Sequence, residues 1–306
     1  MLPRPRRVKV LFFAPARGHA PAVRHPDVDV EIPRHRGCRP RLGTTFLLTL
    51  WLAVPAAGQA GAERPEPALP TASALMARVL ERSARVARNT NAAPHTCLKR
   101  ALVEELDGKG RVVKTTEKTY RVQCVQGIPF SRLIKVGGRE LSPAELRKQD
   151  LREQAFLRKI AARDPDTMAR GKEAWVTREL VDRYEFKVQG REPFENRMMV
   201  VLEFVPRASQ PAANKPQDRI LERLTGRLWV DEADAEVARL EVRLLEAFSL
   251  GWLGLVGSVK QCDLVLLRQR LADGCWVNRR QTLVLGGRKL TSALRYRTTE
   301  DSSGWL

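Results

Sequence analysis

The sequence predicts a mainly β (α+β) fold: a curved antiparallel sheet or incomplete β-barrel of about ten strands covered by helices. Three observations predict it. From Tyr184 onward, apolar and polar residues alternate with a period of two through one segment after another, the pattern of strands with one buried and one wet face. Short turn signals separate those segments, at residues 231–235, 272–274 and 286–287. Residues 71–88 place Leu75, Met76, Val79, Leu80 and Val86 on one helical stripe with Arg and Glu opposite, so an amphipathic helix needs an apolar surface to cover.

Taken in order, the chain opens with a segment outside that fold. Residues 1–38 are rich in Arg, Pro and His and show no helical or strand periodicity. They read as an extension upstream of the true start, with a basic nucleic-acid-binding arm as the rival. Residues 39–62 follow the layout of a secretory signal: Arg39 and Arg41, an apolar run from Phe46 to Val54, then small residues ending in Ala60-Gly61-Ala62. The run is about 10 residues, whereas a membrane-spanning helix needs about 20, so cleavage near Ala60–Ala62 and export to the periplasm are expected. Cys38 precedes the apolar run and cannot be the lipidated first residue of a mature lipoprotein. Residues 63–70 form a linker, and 71–306 form the folded domain.

In that domain the helix at 71–88 is followed by a hairpin. CLKRALVEEL and RVVKTTEKTYRVQCV flank the turn Asp107–Gly110, and both arms are β-branched around an Asp-Gly start. A short strand at Phe130–Val136 ends at Gly137-Gly138. At Ser142-Pro143-Ala144-Glu145 the pattern becomes a capping box with Pro at the first helical position. The helix runs to about Ala162, with Leu146, Phe156, Leu157 and Ile160 as its apolar seam. A further helix at 172–182 carries Trp175, Leu180 and Val181 and completes a charged helical insertion, 142–182. Strands follow: YEFKV, MMVVLEFV, LTGRLWV, EVARLEVRLLE, VKQCDLVLLRQRL, CWVNRRQTLVLG and RKLTSALRYRTTE.

The 306 residues are 43% hydrophobic, enough to bury a core, so disorder is excluded for most of the chain. The formal net charge is +19; residues 1–62 hold 10 Lys+Arg and 3 Asp+Glu, which leaves 44 against 32, or +12, in residues 63–306. A basic surface favours anionic partners such as lipid headgroups, cell-wall polymer or an acidic protein patch, and allows transient contact with a membrane surface. Nucleic acid is not an expected partner, because no zinc-finger spacing or RNA-binding strand motif is present.

Candidate chemistry is sparse. His19, His25 and His35 lie in the segment expected to be removed, which leaves His95 with no visible partner, so neither a His-based catalytic triad nor a three-His zinc site is expected. No catalytic residue, metal ligand set or cofactor is expected, and the chain is not read as an enzyme. No C-x-x-C pair occurs, so zinc or thioredoxin-like chemistry has no sequence support. Cys97, Cys124, Cys262 and Cys275 remain after export. Cys97 and Cys124 on consecutive strands are the candidates for a disulfide, although a tight turn sets Cys97 opposite Tyr120 and requires a bulge; reduced thiols are the alternative. Glu104-Glu105 and Glu232-Ala233-Asp234 read as solvated charge.

One segment stands out. Residues 247–258 (AFSLGWLGLVGS) interleave Phe248, Leu250, Trp252, Leu253, Leu255 and Val256 with glycines, too apolar to lie exposed. It either completes the core or forms an apolar lid over a lipid-binding cavity. Trp229 joins these as a candidate ligand-binding residue.

Gly226-Arg-Leu-Trp-Val-Asp231 followed by Val237-Ala-Arg-Leu-Glu241 resembles the recurring hairpin of the periplasmic lipoprotein-sorting (LolA/LolB-like) superfamily, which includes MucB/RseB-type proteins. GIPFSRLIKVGGRELSPAEL at 127–146 and GSVKQCDLVLLRQRLADGCWVNRR at 257–280 resemble an exported bacterial branch related to it. The resemblance spans about residues 71–300. It implies a curved sheet wrapped round helices, with an apolar interior that in the carriers shelters lipoprotein acyl chains. The expected function is therefore a monomeric, non-enzymatic carrier or chaperone for an acyl chain or lipidated protein. The alternative is an envelope protein-interaction or sensor module of the same fold with no lipid cargo.

Overall fold

The computed structural model describes residues 68–88, 95–125, 128–162, 176–209, 216–250, 257–289 and 292–306. Contacts divide the chain at Glu66/Pro67, and every described residue lies in the second unit. Both the expected extension, 1–38, and the expected signal, 39–62, lie outside the described residues.

The unit is an antiparallel sheet of twelve strands with four helices among the described residues. In chain order the elements are α1 (Ala72–Arg88), β1 (Cys97–Leu106), β2 (Val112–Val125), β3 (Ile128–Val136), β4 (Arg139–Glu140), α2 (Pro143–Ala161), α3 (Arg178–Val181), β5 (Tyr184–Phe194), β6 (Arg197–Pro206), α4 (Pro216–Leu221), β7 (Leu224–Asp231), β8 (Glu236–Leu244), β9 (Phe248–Leu250), β10 (Gly257–Arg270), β11 (Trp276–Lys289) and β12 (Ser292–Ser303). The spatial order is β4-β3-β2-β1-β12-β11-β10-β8-β7-β6-β5, with β9 on β10. The sheet is mainly β and open, as expected. Its strand count exceeds the expected ten because β4 and β9, at two and three residues, are too short to show a period.

Alternation along β6 and β7 sorts residues to two faces. Val200, Leu202 and Phe204 join Leu228, Val230 and Val237 against Leu75, Met76 and Val79 of α1 in the main core. Met199, Val201, Trp229 and Ala238 form a smaller cluster with Phe194 and Trp276 on the other face. Directly paired residues share a face, so one row can be followed across the sheet: Leu228–Leu240–Leu266–Gln281–Glu300–Ala101. The α1-covered face is apolar as far as β10 and turns polar beyond it. There Lys99 meets Glu300 at 3.4 Å, and its ammonium sits 5.4 Å from the Tyr120 ring centre.

Three local expectations are corrected. Val86 is 48% exposed, so the buried stripe of α1 stops short of the helix end. In α2, Leu146 and Leu157 are exposed, and the inward positions are Gln149, Glu153, Phe156 and Ile160. Half of that stripe is polar because β2 and β3 present polar partners: Gln123 and Arg132 hydrogen-bond Glu153, and Phe156 stacks on Phe130 with centroids 4.8 Å apart. Cys97 faces Val122 instead of Tyr120, because the turn is one residue longer, setting Leu106 opposite Val112, and the β1–β2 register shifts by one more between Glu105 and Leu106. Cys124 then lies two positions beyond Cys97's partner on the same face, and both are thiols.

The first glycine of the 226–231 motif has a packing reason. A Cβ at Gly226 would collide with the Glu241 carbonyl oxygen of β8 and stand 2.9 Å from the Phe204 ring. We expect Gly226→Ala to cost about 3 kcal/mol or more, in the range of severe overpacking, while Gly108→Ala in the open β1–β2 turn changes stability by less than about 0.5 kcal/mol. Denaturant unfolding of both variants checks this, and equal stabilities would contradict it.

The capping box of α2 is built as expected: the Ser142 side chain accepts from Glu145 N at 3.3 Å, and Glu145 Oε2 accepts from Ser142 N at 2.8 Å. Hydrogen bonds from Arg139 first, then from Ser142, hold the Glu145 carboxyl down to about 2. Because the folded value is depressed, the stabilisation from Glu145 is present above the ordinary carboxylate range and is lost as pH falls toward about 2. A carboxyl-carbon NMR titration should place Glu145 near 2 and move it upward in Arg139→Gln. An ordinary titration in both proteins would contradict the pairing.

Candidate functional site

The apolar residues singled out in the sequence do not gather at one place. Trp252, Leu253, Leu255 and Val256 lie outside the described residues, as does the side chain of Leu250, whose backbone pairs with Gly257. Phe248 is described: it is 9% exposed and sits beneath the Arg223 guanidinium at 5.3 Å. Arg219, Arg223, Glu246 and Phe248 line a cleft of about 390 Å³. Glu246 approaches Arg223 at 3.4 Å, so part of that cleft's positive charge is already met.

Trp229 belongs to the other face. It is 5% exposed, donates from Nε1 to Glu192 at 2.8 Å, and has the Arg239 guanidinium 4.5 Å from its ring. Each of its groups has a partner within the chain, and it does not line the α1-covered face. Beside its cluster lies a cleft of about 260 Å³ lined by Phe194, Arg197, Met199, Arg270 and Trp276 among others. Arg197 pairs with Asp231, while Asp234 accepts from Arg270 at 2.7 Å and Trp276 Nε1 at 2.9 Å. Burial pushes the Asp234 carboxyl up, but those two hydrogen bonds outweigh it and hold it low. The turn carboxylates expected to be solvated are therefore structural.

At the other border of α1 stands a buried charge cluster. Glu236, 6% exposed, receives Arg82 of α1 at 2.9 Å and Arg268 of β10 at 2.7 Å. Together with the bond from Arg78 to the Glu232 carbonyl oxygen at 2.6 Å, it fixes how α1 lies on β8.

His95, expected to stand alone, has partners. Its Nε2 is 2.8 Å from Asp273 Oδ2. Asp273 and Cys275 lie on the β10–β11 turn, and the imidazole, carboxylate and thiol atoms all fall within 4.8 Å of one another. Among the described residues this is the grouping of His, Cys, Asp and Glu that could hold a metal ion. A backbone hydrogen bond from Cys275, joined by His95, keeps the Asp273 carboxyl low. Burial and then the Asp273 charge push the Cys275 thiol up. Sequence spacing had no means of revealing this grouping, since 178 positions separate His95 from Asp273.

Among the described residues no helix is long and apolar enough to cross a membrane. No family model matches the chain, and no curated protein does. Among solved structures it is similar to a putative outer membrane lipoprotein-sorting protein domain from Vibrio parahaemolyticus (11% identity, 74% of this chain and 91% of that one, TM-score 0.29). It is likewise similar to a LolA superfamily protein from Nitrosomonas europaea (12% identity, 78% and 93% covered, TM-score 0.29). A third likeness is to MucB in the MucA/MucB complex of Pseudomonas aeruginosa (12% identity, 76% and 94% covered, TM-score 0.23). At such TM-scores the likeness carries no argument about function, and the fold rests on the strand pairing itself.

Removing one partner of the buried cluster should be costly. Glu236→Gln leaves Arg268, itself 8% exposed, without its carboxylate, and we expect a loss of about 3 kcal/mol, measured by denaturant unfolding. A change below about 0.5 kcal/mol, the range of ordinary surface substitutions, would show that the cluster does not anchor α1.

Proposed function

We propose that the chain is an exported, non-enzymatic carrier or chaperone of the cell envelope that takes an acyl chain, free or on a lipidated protein, onto the face that α1 covers. The observation behind this reading is the apolar surface of β5–β8, covered by the amphipathic α1 with Val176, Leu180 and Val181 beside it, instead of by a second sheet. Leu75, Met76 and Val79, all at most 4% exposed, fill it. Burying three such side chains is worth about 6 kcal/mol at about 2 kcal/mol each. An acyl chain of about 16 carbons gains about 13 kcal/mol at about 0.8 kcal/mol per CH₂. The apolar gain of such a guest is of the size needed to compete with α1 for this face, and Arg and Lys on the protein surface meet an anionic headgroup.

The second reading is an interaction or sensor module in which α1 stays seated and the partner is an envelope protein. The completeness of α1 burial favours it. Delipidated full-length protein distinguishes the two. Under the carrier reading a fluorescent long-chain fatty acid binds saturably, and Leu75→Ala tightens that binding while costing about 3 kcal/mol of stability. Absence of binding by the wild type would contradict the carrier and leave the interaction module.

A further inference from the structure

We propose that His95, Asp273 and Cys275 form a binding site for a divalent transition metal of the zinc class. The three residues supply an imidazole nitrogen, a carboxylate oxygen and a sulfur, whose ligand atoms lie within 4.8 Å of one another. Zinc accepts these donors at about 2.0–2.3 Å, so atoms around one ion stand about 3–4 Å apart. Movements of about an ångström bring the present cluster to that spacing. The ion takes the place of the hydrogen bond between His95 Nε2 and Asp273 Oδ2, and the Cys275 sulfur gives up its proton to solvent. Imidazole with thiolate selects zinc or cobalt over magnesium and calcium, which prefer all-oxygen sets.

Both halves of the site are held before any ion arrives. Next to His95, Thr96 exchanges two backbone hydrogen bonds with Leu306, each of 3.0 Å. On the hairpin, Leu271 N donates to the Cys275 carbonyl oxygen at 2.8 Å and Gly274 N to that of Leu271 at 3.0 Å. Cys275 N occupies Asp273 Oδ1 at 2.9 Å, which turns Oδ2 toward His95. The side chains of His95 and Asp273 are 16% and 44% exposed, so an ion can enter from solvent and keep water in a fourth position. The bound ion would staple the approach to β1 to the β10–β11 hairpin. It makes no use of the α1-covered face, so the site and the carrier reading stand or fall separately.

The test is a titration of the metal-free, reduced full-length chain with cobalt(II) chloride, followed by zinc(II). The expected result is a single equivalent of cobalt with thiolate-to-cobalt charge-transfer absorption, bleached by zinc. Cys275→Ser should abolish the band, and His95→Ala should weaken binding on the order of 100-fold, since loss of even an outer-shell partner costs 10–100-fold. Asp273→Asn, which keeps the turn's hydrogen-bonding shape, should weaken binding without loss of fold by circular dichroism. Cys124→Ser should leave the band intact. No charge-transfer band at excess cobalt in the wild type would overturn the proposal. So would a band that persists in Cys275→Ser, since it would belong to another cysteine.

Discussion

The larger apolar face of the sheet must be covered, and in this chain α1 does most of it, with Val176, Leu180 and Val181 beside it. The main core is the meeting of α1 with β5–β8: Leu75, Met76 and Val79 against Val200, Leu202, Val230 and Val237. Those three helical side chains account for about 6 kcal/mol of burial, comparable with the whole net stability of an ordinary domain, about 5–15 kcal/mol. The same helix is held laterally by Arg82 on the buried Glu236 and by Arg78 on a backbone carbonyl. Where the row of paired residues passes from Leu266 to Gln281 and Glu300, the need for cover ends, and so does the reach of α1. The polar half instead satisfies its inward groups by pairing, as Lys99 does with Glu300.

Much of this was legible in the residues. Period-2 alternation at Val200–Phe204 and Leu228–Val230 read correctly as strands, and Leu75, Met76 and Val79 read correctly as the helix that meets them, but the face expected to be wet carries Met199, Val201 and Trp229 in a second buried cluster. The capping box at Ser142 formed as written. What failed did so for identifiable reasons. A turn one residue longer than the tight one and a one-residue irregularity near Leu106 together shifted Cys97 from Tyr120 to Val122, and nothing in the composition of that hairpin announces either. The inward stripe of α2 includes Gln149 and Glu153 because the sheet offers Gln123 and Arg132, a match that hydropathy cannot register. Trp229 looked like a cavity residue until the pleat placed it opposite α1, with Glu192 and Arg239 as partners. The grouping of His95 with Asp273 and Cys275 depends on the C-terminal strand returning beside β1, a long-range outcome of topology.

Carboxylates in the turns serve Trp276, Arg270 and Arg197, and burial, then the Asp273 charge, push the Cys275 thiol up. Beside these pairs stands the apolar area that α1 covers, on a chain of strongly basic composition. That combination suits a guest with an oily body and an anionic end.

The central claim is that α1 yields its place to an acyl chain, and hydrogen–deuterium exchange reads this directly. With a long-chain fatty acid at saturation, the amides of residues 75–86 should exchange faster than in the guest-free protein, while those of β6 and β7 stay protected. If α1 keeps its full protection with the fatty acid bound, or gains protection, the helix is a permanent part of the core and the account is contradicted.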